Sequence, residues 1–554
     1  MTEKNTQAMP ARKPIWRPDL WSAGALLIAV LVMMPIASVV WIAFHPAENI
    51  WPHLLATTLP RYLVNSLVMM LSVGVLSALI GVGAAWLVAM YRFPGARWLE
   101  WLLLFPLAIP AYVGAYALVD FLEYAGPVQT WLRGVFGWAT SRDYWFPEIR
   151  SRGAAILVMA MALYPYVYLL TRSAFREQSG NTYEVARALG AGPWKRFWRV
   201  GLPLVRPAIA AGMAIVMMET VSDFGTVEFF AVQTLTTGIF TTWLEANNAG
   251  GAAQIAGVVL LLVLLLVGLE KSSRRNQRFH EGARHKRPIV QILLQGARGW
   301  LATLFCTLPF LGGFVLPVGV MLSHALRNTG YWSNPALGRA LWNTVSVGGG
   351  AALVTVTAAV FLVYGVRLTG RRLPRLVMPF TTIGYAAPGA VLAVGILIPL
   401  AAVDNKLADF VEWATGVDIG LVLTGTGFAI VFAYSVRFFA IAQGAADGAM
   451  GRISPSLPMA ARSLGRSAGG TLLTVYAPLI RGSLMTALLL VFVDSVKELP
   501  ATLLLRPFNY NTLSTLVYEQ ASLENIGEAS PAALLVIGVG MLAVLLLARG
   551  NRGA

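Results

Sequence analysis

The chain has 554 residues, of which 57% are hydrophobic and only 12% charged, with a mean hydropathy of +0.66. A soluble globular protein carries about 25% charged residues, so a soluble enzyme and a disordered chain are both excluded. The formal net charge is +16, Cys306 is the single cysteine, and the five His are scattered, which excludes an intrachain disulfide and any Cys-rich or His-spaced metal site.

The N-terminal segment MTEKNTQAMPARKPIWRPDLW is basic and leads into a long apolar run without a small-residue cleavage site, so it predicts an anchoring span and not a signal peptide. Apolar runs follow one another at about 21–44, 63–91, 98–121, 153–171, 204–222 and 250–269. After a polar stretch they resume at about 299–325, 341–366, 376–403, 419–441, 479–496 and 530–548. A bilayer helix needs about 20 apolar residues, and none of the runs alternates as a barrel strand would. The expected fold is therefore an all-α polytopic membrane protein of about 12 transmembrane helices. It divides into a first half over 1–269, a basic linker over 270–298 and a second half over 299–554. With an inside N-terminus, 32 of the 42 Lys and Arg fall on inner segments, which places both termini in the cytoplasm. The basicity then reads as a topology signal and gives no reason to expect nucleic acid as a partner.

Within the first half, Asn65 lies near an outer helix end and is expected to bond helices together, as is Asn343 in the second. The Trp- and Phe-rich segment 126–150 predicts an amphipathic helix on the outer surface. Tyr164, Tyr166 and Tyr168 recur every second residue, so on a helix they spread over different faces, and packing is their expected role.

The halves repeat one another. RYLVNS at 61–66 answers RALWNT at 339–344, an offset of 278 shared by Pro110 and Pro388, whereas Gly190–Pro203 answers Gly465–Pro478 at an offset of 275. Six spans return the chain to its starting side, so the repeats are parallel and related by an axis along the membrane normal.

The segment YEVARALGAGPWKRFWRVGLPLVRPAIAAG (183–212) predicts a short helical hairpin on the inner face. Asn181 or Thr182 would cap its first helix, Gly190 would end it, Gly192-Pro193 would open the second, and Leu202-Pro203 would enter the next span. LPMAARSLGRSAGGTLLTVYAPLIRGS (457–483) repeats it, with Ser456 and Pro458 at the start and Gly465 at the end. These segments resemble the EAA loop of binding-protein-dependent ABC importer permeases. In the first copy Glu184, Val185 and Ala186 precede Gly190, Leu202 and Pro203; in the second, Met459, Ala460 and Ala461 precede Gly465 and Pro478, with Met459 replacing the acid. DYWFPEIRS (143–151), LYPYVYLLTRSAF (163–175) and METVSDFGTVEFFAVQTLTTGIFTTW (218–243) are similar to the ferric-iron permeases of bacterial inner membranes, which are fused two-half chains.

The resemblance implies a type I ABC importer permease fold and a transport role without enzymatic chemistry. It implies EAA-loop coupling to two copies of a cytoplasmic ATPase that binds ATP and Mg²⁺, a periplasmic iron-binding protein, and Fe³⁺ as cargo. Thiamine, phosphonate and polyamine importers share the scaffold. No cofactor is expected in the chain, which lacks a G-x-x-x-x-G-K-[ST] phosphate loop. An ion-coupled secondary transporter is the reading from another class; import without ATPase or nucleotide would favour it.

Carboxylates inside a membrane are costly and usually functional. Glu219 and Asp494 correspond at the 275 offset, as do Asp223 and Glu498. A spacing of four residues would put both acids of each helix on one face, and a pseudo-two-fold axis would gather all four. Oxygen-rich, negative surroundings suit a hard cation, with Asp223 and Glu498 as candidate metal ligands. A role in docking the binding protein and plain helix capping remain alternatives.

Overall fold

The computed structural model describes residues 19–275 and 290–550, so the basic N-terminal segment and the centre of the predicted linker lie outside the described residues. Among those residues, ten helices are long and apolar enough to cross a bilayer, and two bent helix pairs raise the number to twelve. The expected all-helical membrane architecture is present.

The breaks depart from the sequence expectation. The run predicted as one span at 98–121 is Ala96–Leu102, a 3-10 turn over Phe105–Ala108, and Ala111–Leu122, with Ala96–Ala108 bent by 96° from Ala111–Phe136. The run at 376–403 is also interrupted, by short turns ahead of Gly389–Thr415. The cause is the same in both halves. Pro110 and Pro388 cap the following helix in extended backbone, with ψ of 141° and 147°. A proline lacks an N–H and forces the residue before it out of the helical region. The run at 419–441 becomes Phe428–Arg437 and Phe439–Gly451, bent by 51°.

The first helix of each half packs against the other half. Leu20–Phe44 lies along Pro335–Thr369 and Gly389–Thr415. A Cβ on Gly365 would meet the Trp21 carbonyl oxygen at 2.9 Å, and Gly395 approaches the Pro35 carbonyl closely. Reciprocally, Gly313 abuts the Met161 carbonyl, and a Cβ on Gly83 would stand 2.8 Å from Phe305. Small residues permit such crossings in membranes. A two-residue parallel strand pair, Tyr91–Arg92 with Ile292–Leu293, ties the residues after Leu59–Met90 to the end of the linker, just ahead of the second half.

The repeat is visible in single hydrogen bonds. Asn65 Nδ2 donates to the Gln233 carbonyl at 2.8 Å and Asn343 Nδ2 to the Asn511 carbonyl at 2.9 Å. The Leu235 N–H donates to Ser66 Oγ at 2.9 Å and the Leu513 N–H to Thr344 Oγ1 at 2.8 Å. Both pairs keep the 278 offset, and each asparagine bonds its helix not to a second helix, as expected, but to a loop carbonyl two residues ahead of one, Leu235–Phe240 or Leu513–Ser522.

Candidate functional site

Two features draw on both halves at corresponding positions: a hairpin in each half and one acid-lined cavity shared between them.

The first hairpin comprises Gly180–Ala188 and Pro193–Arg196. Its helix starts one residue before the expected caps: Ser179 occupies the N-cap position without a side-chain hydrogen bond, and Asn181 and Thr182 fall inside. Gly190 ends it at φ +78°, where Gly465 ends its twin Ser456–Ser463 at φ +84°. Only glycine takes this left-handed region without steric cost. Each hairpin runs through a π turn, Phe197–Gly201 or Leu472–Tyr476, into a long helix, Leu202–Ser222 or Ala477–Lys497. Leu202 and Pro203 therefore start the first of these helices, and Pro478 lies in the first turn of the second.

Both hairpins present apolar side chains outward. Val185 is 59% and Leu189 83% exposed; Met459 is 65% and Leu464 85% exposed. Glu184 and Ala460 are exposed too, and Ala186 and Ala461 half-buried. Leu189 and Leu464 correspond at the 275 offset, and exposed apolar side chains on both hairpins form surfaces suited to a partner protein.

Each hairpin is seated on one aromatic residue. Trp86 meets Phe175, Tyr183 and Phe197 with ring centroids 5.3, 6.0 and 5.2 Å away. Its counterpart at the 278 offset is Tyr364, whose hydroxyl donates to the Ala468 carbonyl at 2.7 Å and whose ring meets Tyr476 edge-on at 5.4 Å.

Above the hairpin helices, a cavity of about 170 Å³ is lined by all four predicted acids, Glu219, Asp223, Asp494 and Glu498. The one-face arrangement does not hold. The helices end at Ser222 and Lys497, and Asp223 and Glu498 lie one residue beyond. There they cap the short helices Gly225–Phe229 and Pro500–Leu505. Asp223 accepts from the Thr226 N–H at 2.9 Å, the Val227 N–H at 3.2 Å and Thr226 Oγ1 at 3.0 Å. Glu498 Oε1 accepts from the Ala501 N–H at 3.1 Å. Glu219 and Asp494 stay on the helices and make no hydrogen bond among the described residues. No group of three His, Cys, Asp or Glu among the described residues is arranged to hold a metal ion.

Three wall residues escaped the sequence reading. Tyr385 carries no repeat signal, Tyr166 is expected to pack, and Arg437 falls inside the apolar run at 419–441; all line the cavity. Arg437 ends the helix Phe428–Arg437, with Nη1 at 3.7 Å from Glu498 Oε1. A cation within an apolar run was the available signal, obscured because the run's boundary was misplaced. Lys497 also lines the cavity and donates to the Leu107 carbonyl at 2.8 Å. Tyr164 and Tyr168 point away from the cavity, and Tyr168 donates to the Glu100 carbonyl at 2.9 Å. The cavity thus holds four carboxylates, two fixed cations and the Tyr166 and Tyr385 side chains. It is suited to attract a cation and unsuited to an oxyanion.

At the opposite end from the hairpins, the expected amphipathic helix is Pro127–Phe136, with Trp131 65% exposed. Arg150 bridges Glu123 at 3.1 Å and Glu524 at 2.9 Å, joining the halves there.

Residues 77–276 match the family described as "Binding-protein-dependent transport system inner membrane component". The chain is 26% identical over 544 residues to the Fe(3+)-transport system permease protein FbpB 2 of Haemophilus influenzae, covering 97% of this chain and 99% of that protein. It is 23% identical to the ferric transport system permease protein FbpB of Actinobacillus pleuropneumoniae, over 97% of this chain and 79% of the other. A match at 27% identity to the sulfate transport system permease protein CysT of Escherichia coli covers 44% of this chain and 86% of that protein. The chain is a multi-pass inner-membrane permease of the ABC importer type, a transport component and not an enzyme. Permeases of this type work with an ATPase and a binding protein.

Proposed function

We propose that this permease carries Fe³⁺, delivered by a periplasmic binding protein, inward through the acid cavity while two ATPase copies act on the two hairpins. The cavity carries the reading. Both halves contribute carboxylates to it at corresponding positions, and Glu219 and Asp494 accept no hydrogen bond among the described residues. Hard, highly charged cations take oxygen ligands. The ferric relatives fit this chemistry along the whole chain, whereas the four acids oppose the sulfate suggested by the partial match. Asp223 and Glu498 serve at the rim, where Glu498 Oε2 has no protein partner among the described residues and can reach a passing ion.

The exposed Val185–Leu189 and Met459–Leu464 surfaces are the ATPase contacts, with Glu184 and Ala186 on the first and Ala460 and Ala461 on the second. Both termini lie with the hairpins on the cytoplasmic side, and the two halves, 1–269 and 299–554, rock about the pseudo-two-fold axis. Closure of the ATPase pair on ATP supplies the bias between two arrangements of the bundle.

The test is Fe³⁺ import into proteoliposomes holding permease, ATPase and iron-loaded binding protein. Glu219→Gln with Asp494→Asn should abolish import while leaving the complex assembled. Unchanged import would remove the cavity from the pathway. A cognate binding protein that ignores Fe³⁺ and takes an oxyanion would reject the cargo.

A further inference from the structure

The cavity is symmetric in its acids and asymmetric in its cations. Asp494 and Glu498 answer Glu219 and Asp223, but Lys497 corresponds to Ser222 at the 275 offset, and Arg437 corresponds to Met159 or Ala162 at the two repeat offsets. Both fixed positive charges therefore come from the second half, on walls whose first-half counterparts are uncharged.

Their attachments differ. Lys497 is anchored by its hydrogen bond to the Leu107 carbonyl at 2.8 Å. Arg437 is held less firmly: its buried Nη1 has no hydrogen-bond partner, and the Glu498 oxygen stands at 3.7 Å. It also sits at the joint of the helix pair bent by 51°, with its guanidinium 5.8 Å from the centre of the Phe438 ring. Room for the contact is provided on one side only. A Cβ on Gly389 would collide with Glu498 Oε1 and lie 2.9 Å from Arg437 Nη1, and the corresponding first-half residue is Ala111.

We propose that Arg437 is a tethered counter-cation: it offsets part of the acid cavity's charge when cargo is absent and is displaced when a highly charged cation enters. This rests on the reading of the cavity as the cargo path. Unbalanced carboxylates in a low-dielectric cavity are costly, and so is excess positive charge. Two fixed cations leave four acids short by two charges, which admits a cation but stops a trivalent one from being held irreversibly. Arg437 thereby weakens binding in exchange for release, and its place at a helix joint lets movement of the bundle return it to the acids.

The experiment uses the purified permease–ATPase complex with Tb³⁺, a hard trivalent probe excited through nearby tyrosines, alongside Fe³⁺ import. Arg437→Gln should bind Tb³⁺ roughly tenfold tighter or more, because an opposing charge within a few ångströms is gone, while import slows. Arg437→Lys should stay near wild type in both. A merely structural arginine would give the opposite sign, weaker binding together with lost assembly. Equal or weaker Tb³⁺ binding by an assembled Arg437→Gln complex overturns the counter-cation and leaves the cargo path standing. If wild-type Tb³⁺ binding is absent, or survives Glu219→Gln with Asp494→Asn, the cargo path falls and the counter-cation with it.

Discussion

Replacing Trp86 by alanine should loosen the first hairpin from the bundle and uncouple ATP hydrolysis from import. Trp86 is only 9% exposed, and three aromatic rings lie within 6.0 Å of its own, centroid to centroid. Gly201, at the hairpin exit, packs so closely that an added Cβ would be 2.6 Å from the indole. Truncating a buried Trp costs about 3–5 kcal/mol, which shifts the docked-to-loose ratio of the hairpin by roughly two to four powers of ten. The second seat provides an internal scale. Tyr364→Phe keeps the ring against Tyr476 and removes only the hydrogen bond to Ala468, a loss of about 0.5–1.5 kcal/mol. In proteoliposomes, Trp86→Ala should retain ATP hydrolysis with a large fall in ions imported per ATP, and Tyr364→Phe should show a small one. Hydrogen exchange should accelerate across 180–201 in the first variant alone. An assembled Trp86→Ala complex with unchanged exchange in that segment and unchanged import per ATP would refute the seat as a coupling element.

Three further outcomes follow from local geometry. Gly389→Ala drives a methyl into Glu498 and Arg437 and should cost about 1–3 kcal/mol by overpacking, read as a lower melting temperature; Ala111→Gly at the corresponding place should cost less. Gly190→Val puts a β-branched residue at φ +78° and should destabilise the hairpin end by about 1–2 kcal/mol, measured as weaker ATPase capture without loss of the bundle. In the outer segment, N–H donors from Thr140 at 2.7 Å and Ala139 at 2.8 Å hold the Asp143 carboxyl below the usual carboxylate range. A lowered folded value means this turn is stabilised above the ordinary carboxylate pKa of about 3.9 and loses that support as pH falls through the depressed one. Trp138, stacked 4.7 Å from Tyr144, should report the opening by fluorescence below about pH 4, and Asp143→Asn should remove the transition.

Much of this was legible in sequence because the chain states it twice. The hairpin ends at Gly190 and Gly465, the proline pair Pro110 and Pro388, and the Asn65–Asn343 correspondence all emerge from two offsets and survive as matched geometry. Hydropathy cannot show where a proline turns an apolar run aside, so the breaks before Ala111 and Gly389 were hidden inside runs long enough to span. The acids were found by their recurrence, but their placement was not: helical spacing assumed a helix through Asp223 and Glu498, whereas the chain turns there and uses both as caps. Arg437 and Tyr385 have no repeat partner of like chemistry, so the method that found the acids could not find them.

The exchange of first helices bears on how two hairpins could drive one cavity. Trp21, on the first helix of the first half, stacks on Phe361 at 4.8 Å and meets Tyr364 edge-on at 5.0 Å. Asp19, capping that helix, pairs with Arg371 at 3.2 Å. The second hairpin thus bears on a seat built partly from the first half, and Phe305 of the second half reaches Gly83 on the helix that carries Trp86. Neither hairpin can shift without loading a helix of the opposite half, because packed interiors transmit displacement and do not absorb it. The acids at the far ends of Leu202–Ser222 and Ala477–Lys497 then move as a set. On this argument, inactivating one hairpin weakens the motion of both walls of the cavity, and a variant confined to one half should never leave the other half cycling alone.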